Sequence, residues 1–199
     1  METPANIAVF ISGGGSNLQS LIDASRDGRL HGRIALVVSN KAGAYGLERA
    51  RNEGIDTMVY RVKNYSSKEA AASDLLAMLD EYRVQYIALA GYLKLLPAAA
   101  VKKYSGRITN IHPALLPKYG GKGMYGHHVH EAVLASGDSE SGATVHMADE
   151  IYDNGRILMQ KTVPVKPGDT PDSLAARVLK VEHEIYPIAL DNLIRGEYE

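Results

Sequence analysis

Asn6-Ile-Ala-Val-Phe-Ile-Ser12, then Gly13-Gly-Gly-Ser-Asn-Leu18, then Gln19-Ser-Leu-Ile-Asp23 read as one unit near the amino terminus. The first run is apolar without polar alternation, as in a strand buried on both faces of a helix-covered parallel sheet. The glycines supply a tight turn. The apolar residues beyond them recur at helical spacing, which predicts a helix over 17–26. A glycine turn at the start of a helix brings backbone amides and the positive end of the helix dipole to one spot, so a phosphate is the natural guest. The dinucleotide-binding fingerprint is not met, because its last glycine position holds Leu18 and the second strand ends Val38-Ser39-Asn40 without an acid. No Gly-Lys-Ser/Thr follows, which excludes a P-loop. A tight turn with Ser16 as a helix cap and no ligand is the structural alternative.

Outward from this unit the pattern repeats. Strands are predicted over 6–12, 33–39, 56–61 and 84–90, with helices over 45–52 and 68–82, the latter preceded by Ser66 and Ser67 as N-caps. The second half is less regular. It reads as a short helix over 97–103, a strand over 107–111, a proline- and glycine-rich loop over 113–126 and a helix over 128–135. Strands over 143–147 and 157–165 follow, then a terminal helix over 170–194 opened by Thr170-Pro171-Asp172. The expected fold class is α/β, an open, mostly parallel twisted sheet with helices on both faces, forming a single domain over 1–199.

Composition limits the chemistry. The 199 residues are 45% hydrophobic and 23% charged, a globular balance. With no cysteine, thiolate nucleophiles, disulfides and cysteine-ligated metals drop out, and 7 histidines are left to handle protons near neutral pH. Lys plus Arg number 22 against 23 Asp plus Glu, so there is no general basic field for nucleic acid or an anionic membrane. The opening METPANIAVFIS has Glu2 and no basic residue before its apolar run, no run approaches a membrane span, and the final GEYE carries no lipidation motif. A cytoplasmic protein is expected.

The strongest chemical signal is Asn110-Ile-His-Pro-Ala-Leu-Leu-Pro117, at the carboxyl edge of the sheet where open α/β folds hold ligands. Side chains repeat every second residue on a strand, so Asn110 and His112 share a face. An amide donor beside an imidazole suits attack on an acyl or formyl carbon, with the amide holding oxyanion charge and the imidazole moving protons. Farther on, Asp149, Glu150 and Asp153 lie in an acid-rich turn after a strand; a carboxylate near an imidazole raises its pKa, and a solvated turn is the alternative. His127, His128 and His130 share helical spacing but lack a clear third and fourth metal ligand. Glu182, in Arg177-Val-Leu-Lys-Val-Glu-His-Glu-Ile-Tyr-Pro187, suits sugar hydroxyls or an amine, or else belongs to a charged helix face.

In this order the segments resemble the folate-dependent formyltransferases. The likeness runs from Ile7 to about Gly196 and rests on ISGGGSNLQSLID, VVSNKAGAYGLERA, IALAGYLKLL, NIHPALLPKYGG, SGATVHMADEIYDNGRIL and RVLKVEHEIYP. The Asn-Ile-His-Pro core with a distant Asp marks the wider family, and the Ser-Asn-Leu loop with Glu-His-x-Ile-Tyr-Pro marks the branch acting on a glycinamide nucleotide. The expected chain has neither a preceding regulatory domain nor a following tRNA-binding one.

The resemblance implies 10-formyltetrahydrofolate as co-substrate, 5-phosphoribosylglycinamide as acceptor in purine biosynthesis, and no metal. It implies a catalytic trio of Asn110, His112 and Asp153, with His112 as proton donor and Asp153 raising its pKa. Gly15, Ser16 and Asn17 fall on the phosphate-binding loop, and Glu182 on the acid near the ribose and glycinamide. Lys68, Leu93, Lys94, Leu95, Leu96, Asn110, Asp149, Glu150, Ile151, Tyr152 and Asp153 fall on the folate site. Lysine stands at 68 and 94 where relatives often carry arginine, keeping charge without the bidentate fork. Ala114 replaces a commoner serine, and the stretch Gly120 to Gly126 is longer than in many relatives. The partners implied are small molecules, not nucleic acid or membrane, with a monomer or homodimer. A formyltransferase on another amine, a formyltetrahydrofolate hydrolase and a non-catalytic nucleotide-phosphate binding protein are the alternatives.

Overall fold

A computed structural model describes residues 4–198; Met1 to Thr3 and Glu199, which bear on the terminal signals above, lie outside the described residues. Seven strands, β1 (Ala5–Ile11), β2 (Gly32–Ser39), β3 (Thr57–Val59), β4 (Tyr86–Leu89), β5 (Ile108–His112), β6 (Glu140–Met147) and β7 (Ile157–Pro164), form one sheet in the order β3-β2-β1-β4-β5-β6-β7. The pairs from β3 across to β5 are parallel; β5 with β6 and β6 with β7 are antiparallel. The chain doubles back between β2 and β4, either side of β1, which opens a crevice at the carboxyl ends of these strands.

Among the described residues six α-helices cover the sheet: α1 (Ser16–Arg26), α2 (Tyr45–Asn52), α3 (Lys68–Glu81), α4 (Ala98–Lys103), α5 (His127–Ser136) and α6 (Pro171–Ile194). β1 serves both faces. Ile7, Val9 and Ile11 join one apolar cluster with α1, α2, α5 and α6, while Ala8 and Phe10 join a second with α3 and α4. Burial on both sides is the physical reason for its unbroken apolar sequence. Tyr186 pins α6 beneath the sheet by donating its buried hydroxyl to the carbonyls of Leu89 at 3.2 Å and Thr109 at 3.3 Å.

The element boundaries differ from the sequence expectation where pairing stops. β3 is a three-residue edge strand that gives way to a 3-10 turn at Val62–Asn64, because only β2 lies beside it. The predicted strand over 84–90 shortens to Tyr86–Leu89 behind Arg83, which has φ 50°. Ser67 caps α3, accepting from the Ala70 amide, and Thr170 with Ser173 forms a reciprocal box at the start of α6. The Ser16 cap is not observed: Gly15 is the N-cap of α1, at φ 72°, with no side-chain cap bond.

Candidate active site

β5 presents Asn110 and His112 two residues apart, and antiparallel pairing sets His146 opposite Asn110 and Thr144 opposite His112. The expected face-sharing is therefore present, and β6 adds a second imidazole that the sequence reading did not single out. Asp153 arrives from the turn after β6 with φ 54°, a conformation that favours glycine and marks a residue held by its surroundings. What holds it is visible. Its Oδ2 accepts from the Gly121 amide at 2.9 Å and lies 3.5 Å from His112 Nδ1; its Oδ1 accepts from Asn110 Nδ2 at 3.3 Å. A Cβ on Gly120 would lie 2.6 Å from Leu116 Cδ2 and 3.2 Å from the Asp153 Cβ, so the glycines of this longer loop allow it to close onto the aspartate.

Proton positions follow from the partners. His112 Nε2 faces the Tyr119 carbonyl at 2.8 Å, and a carbonyl only accepts, so Nε2 carries hydrogen and Nδ1 is the atom that gains or loses a proton. His146 donates Nδ1–H to the Met147 carbonyl at 2.8 Å, leaving Nε2 to accept from Asn110 Nδ2 at 3.0 Å. Both amide hydrogens of Asn110 are thus engaged, and the longer contact, to Asp153, is the one that a ligand oxygen can replace.

Burial opposes the expected pull of Asp153 on His112. Burial pushes the His112 pKa below the ordinary histidine value, and this outweighs the upward pull of Asp153 and of the Tyr119 carbonyl. Asp153 does favour the imidazolium, as expected, but the net effect of the site is a neutral ring. Burial pushes Asp153 itself upward, yet the nearby His146 and His112 and the Gly121 amide hold its carboxyl below the usual range.

A cavity of about 730 Å³ opens over these groups. Asn17 and Glu182 line it along with Asn110, His112, Asp153 and the loop over 121–126. Glu182 is 6% exposed and accepts from Asn17 Nδ2 at 2.8 Å, so it is no charged surface residue; burial raises its pKa, partly offset by Asn17. A narrower cleft adjoins, lined by Leu89, Leu95, Leu96, Asp149 and Ile151, and shares Tyr92, Lys94, Asn110, Tyr152 and Asp153 with the cavity. Leu93 lines the cavity, and the exposure of Leu93, Leu95 and Ile151 gives the cleft an apolar lip.

Of the remaining expected site residues, Gly15 and Ser16 sit at the uncapped start of α1 beside Asn17. A Cβ on Gly15 would meet Gly46 Cα at 2.6 Å, so this glycine is required by the α1–α2 approach whatever it binds. Lys68 and Glu150 are exposed and line neither the cavity nor the cleft. The three α5 histidines diverge, His127 towards Asp172, His128 towards Glu131 and His130 into the cavity, and no group of three or more metal-ligating side chains occurs among the described residues.

A crevice at the strand reversal with Asn, His and Asp at its centre defines a class, and comparison agrees: the Formyl transferase family profile matches residues 5–190. The chain belongs to the formyl transferase family. Within it, several similar proteins are named phosphoribosylglycinamide formyltransferase. The chloroplastic phosphoribosylglycinamide formyltransferase of Vigna unguiculata is 48% identical over 180 residues, covering 90% of this chain and 58% of that protein. The Escherichia coli K12 phosphoribosylglycinamide formyltransferase is 44% identical over 185 residues, covering 93% of this chain and 85% of that protein. The crystal structure of the Brucella melitensis phosphoribosylglycinamide formyltransferase superimposes with TM-score 0.88 at 45% identity, covering 96% of this chain and 95% of that one. The chain spans 58% and 62% of the lengths of the two plant relatives it matches.

Proposed function

We propose that this protein transfers the formyl group of 10-formyltetrahydrofolate to the primary amine of 5-phosphoribosylglycinamide, as the names of its relatives suggest. The observation that carries the reading is the junction of two recesses at Asn110 and Asp153, because a transfer reaction needs donor and acceptor to meet at one group of catalytic side chains. The apolar cleft suits the flat ring of a folate. The larger cavity suits a nucleotide, with its phosphate at the uncapped amides of α1 and its amine-bearing end towards the trio.

Asn110 holds the oxyanion that develops on the formyl oxygen, exchanging its 3.3 Å contact with Asp153 for that oxygen. His112 handles protons through Nδ1. The attacking amine forms the new C–N bond and loses one proton; the folate nitrogen keeps the electrons of the broken C–N bond and gains one. His112, with Asp153 stabilising its charged form, relays between them, and the site returns to its starting state. Lys94, beside the cleft, offers a diffuse positive charge for an anionic folate tail, and no step calls for a metal. The same reading takes residues 1–199 as one domain, the cytoplasm as its compartment and a monomer or homodimer as its state.

The test is a spectroscopic assay of folate product release by purified protein, with and without the glycinamide nucleotide. Release that depends on the nucleotide is expected. Release without it would indicate a hydrolase, and no release in either case would indicate a binding protein.

A further inference from the structure

His130 is the one α5 histidine turned inward. It is 4% exposed, it lines the large cavity, and its Nδ1 has no hydrogen-bond partner among the described residues. A buried imidazole with so little hydrogen bonding costs free energy, and it persists where a ligand entering the cavity that the ring lines can bond it. His130 lies on the side of the cavity that the narrow cleft does not share, as do Asn17 and Glu182. Its helix packs against α6, which contributes Glu182 and Leu179 to the same wall. Burial, then the neighbouring His127 and His112, lower its pKa to about 4, so the ring near neutral pH is an uncharged donor and acceptor.

We propose that His130 is a substrate-binding residue that hydrogen-bonds the amine-bearing nucleotide, and not the folate, within the large cavity. The proposal rests on the functional reading given above. An uncharged imidazole is suited to this role because it can accept from an amine N–H without adding a negative charge that favours the unreactive ammonium form.

The experiment measures dissociation constants for 5-phosphoribosylglycinamide and, separately, for a non-reactive folate, by calorimetry on wild type, His130→Leu and His130→Asn. His130→Leu is expected to weaken the nucleotide by about 10- to 100-fold, the cost of one buried hydrogen bond, and to leave the folate within about twofold. His130→Asn, which keeps a polar side chain at the cavity wall, is expected to recover part of the loss. Nucleotide affinity unchanged in His130→Leu would overturn the assignment, and so would equal weakening of both ligands in both variants, which marks a packing role. Failure of the wild type to bind the nucleotide would instead overturn the functional reading and this assignment with it.

Discussion

At the scale of single residues, the site works by setting burial against charge. Asp153 raises the His112 pKa while burial lowers it further, so replacing the carboxylate leaves burial unopposed. Asp153→Asn retains an oxygen for the Gly121 amide and removes the charge. The expected outcome is a His112 titration shifted downward in NMR, an unfolding temperature close to wild type, and slower transfer. Glu182 presents the reverse case. Its ionised form is disfavoured by burial, so Glu182→Gln, which still accepts from Asn17, is expected to raise the unfolding temperature at neutral pH while weakening the nucleotide about tenfold or more. Calorimetric scanning and binding titration read the two effects separately. Asn110 and His112 were legible because a strand repeats every two residues. Glu182 was legible by resemblance alone and His130 was not, because a helical acid and one of three clustered histidines look alike whether they face solvent or a cavity.

At the scale of elements, the glycine-rich loop and the end of β6 carry what local sequence could not reveal. His146 reaches Asn110 only through the antiparallel register of β5 and β6, a long-range pairing that no spacing along either strand dictates. Asp153 was legible by resemblance alone, since its path to His112 depends on the loop that closes over it. That loop is anchored at Tyr119, which has φ 56° and whose hydroxyl donates to Asp138 at 2.7 Å and lies 2.5 Å from Ser136 Oγ, while Lys118 pairs with the same aspartate. The anchor aims the Tyr119 carbonyl at His112. Tyr119→Phe is therefore expected to lower kcat about tenfold and displace the pH profile, with KM little changed, because a misdirected imidazole harms the transition state more than binding. A kcat and pH profile matching wild type would show that the carbonyl stays in place without the hydroxyl.

At the scale of the whole molecule, the α/β alternation was readable because parallel strands buried on both faces have a distinctive composition, whereas the reversal of β6 and β7 leaves no such mark. Buried histidines also make the fold acid-sensitive. His112, His130 and His183 all have pKa values lowered by burial, so below about pH 6.5 the unfolded chain binds protons that these sites refuse, and stability falls as pH drops through that value towards about 4 for His130. Asp153, held low, adds a loss as pH falls farther, while the raised Glu182 opposes it, contributing stability at low pH that is lost on its ionisation. The unfolding temperature is expected to decline from about pH 6.5 to about pH 4, less steeply in His130→Leu. The central claim, that the trio moves a formyl group between two recesses, is tested most directly by single-turnover transfer of isotopically labelled formyl, comparing wild type with Asp153→Asn from about pH 5 to about pH 9. The account predicts that wild type delivers label to the nucleotide amine and that Asp153→Asn does so at least about 100-fold more slowly. Equal rates in the two proteins, or label recovered as formate in the presence of nucleotide, would contradict it.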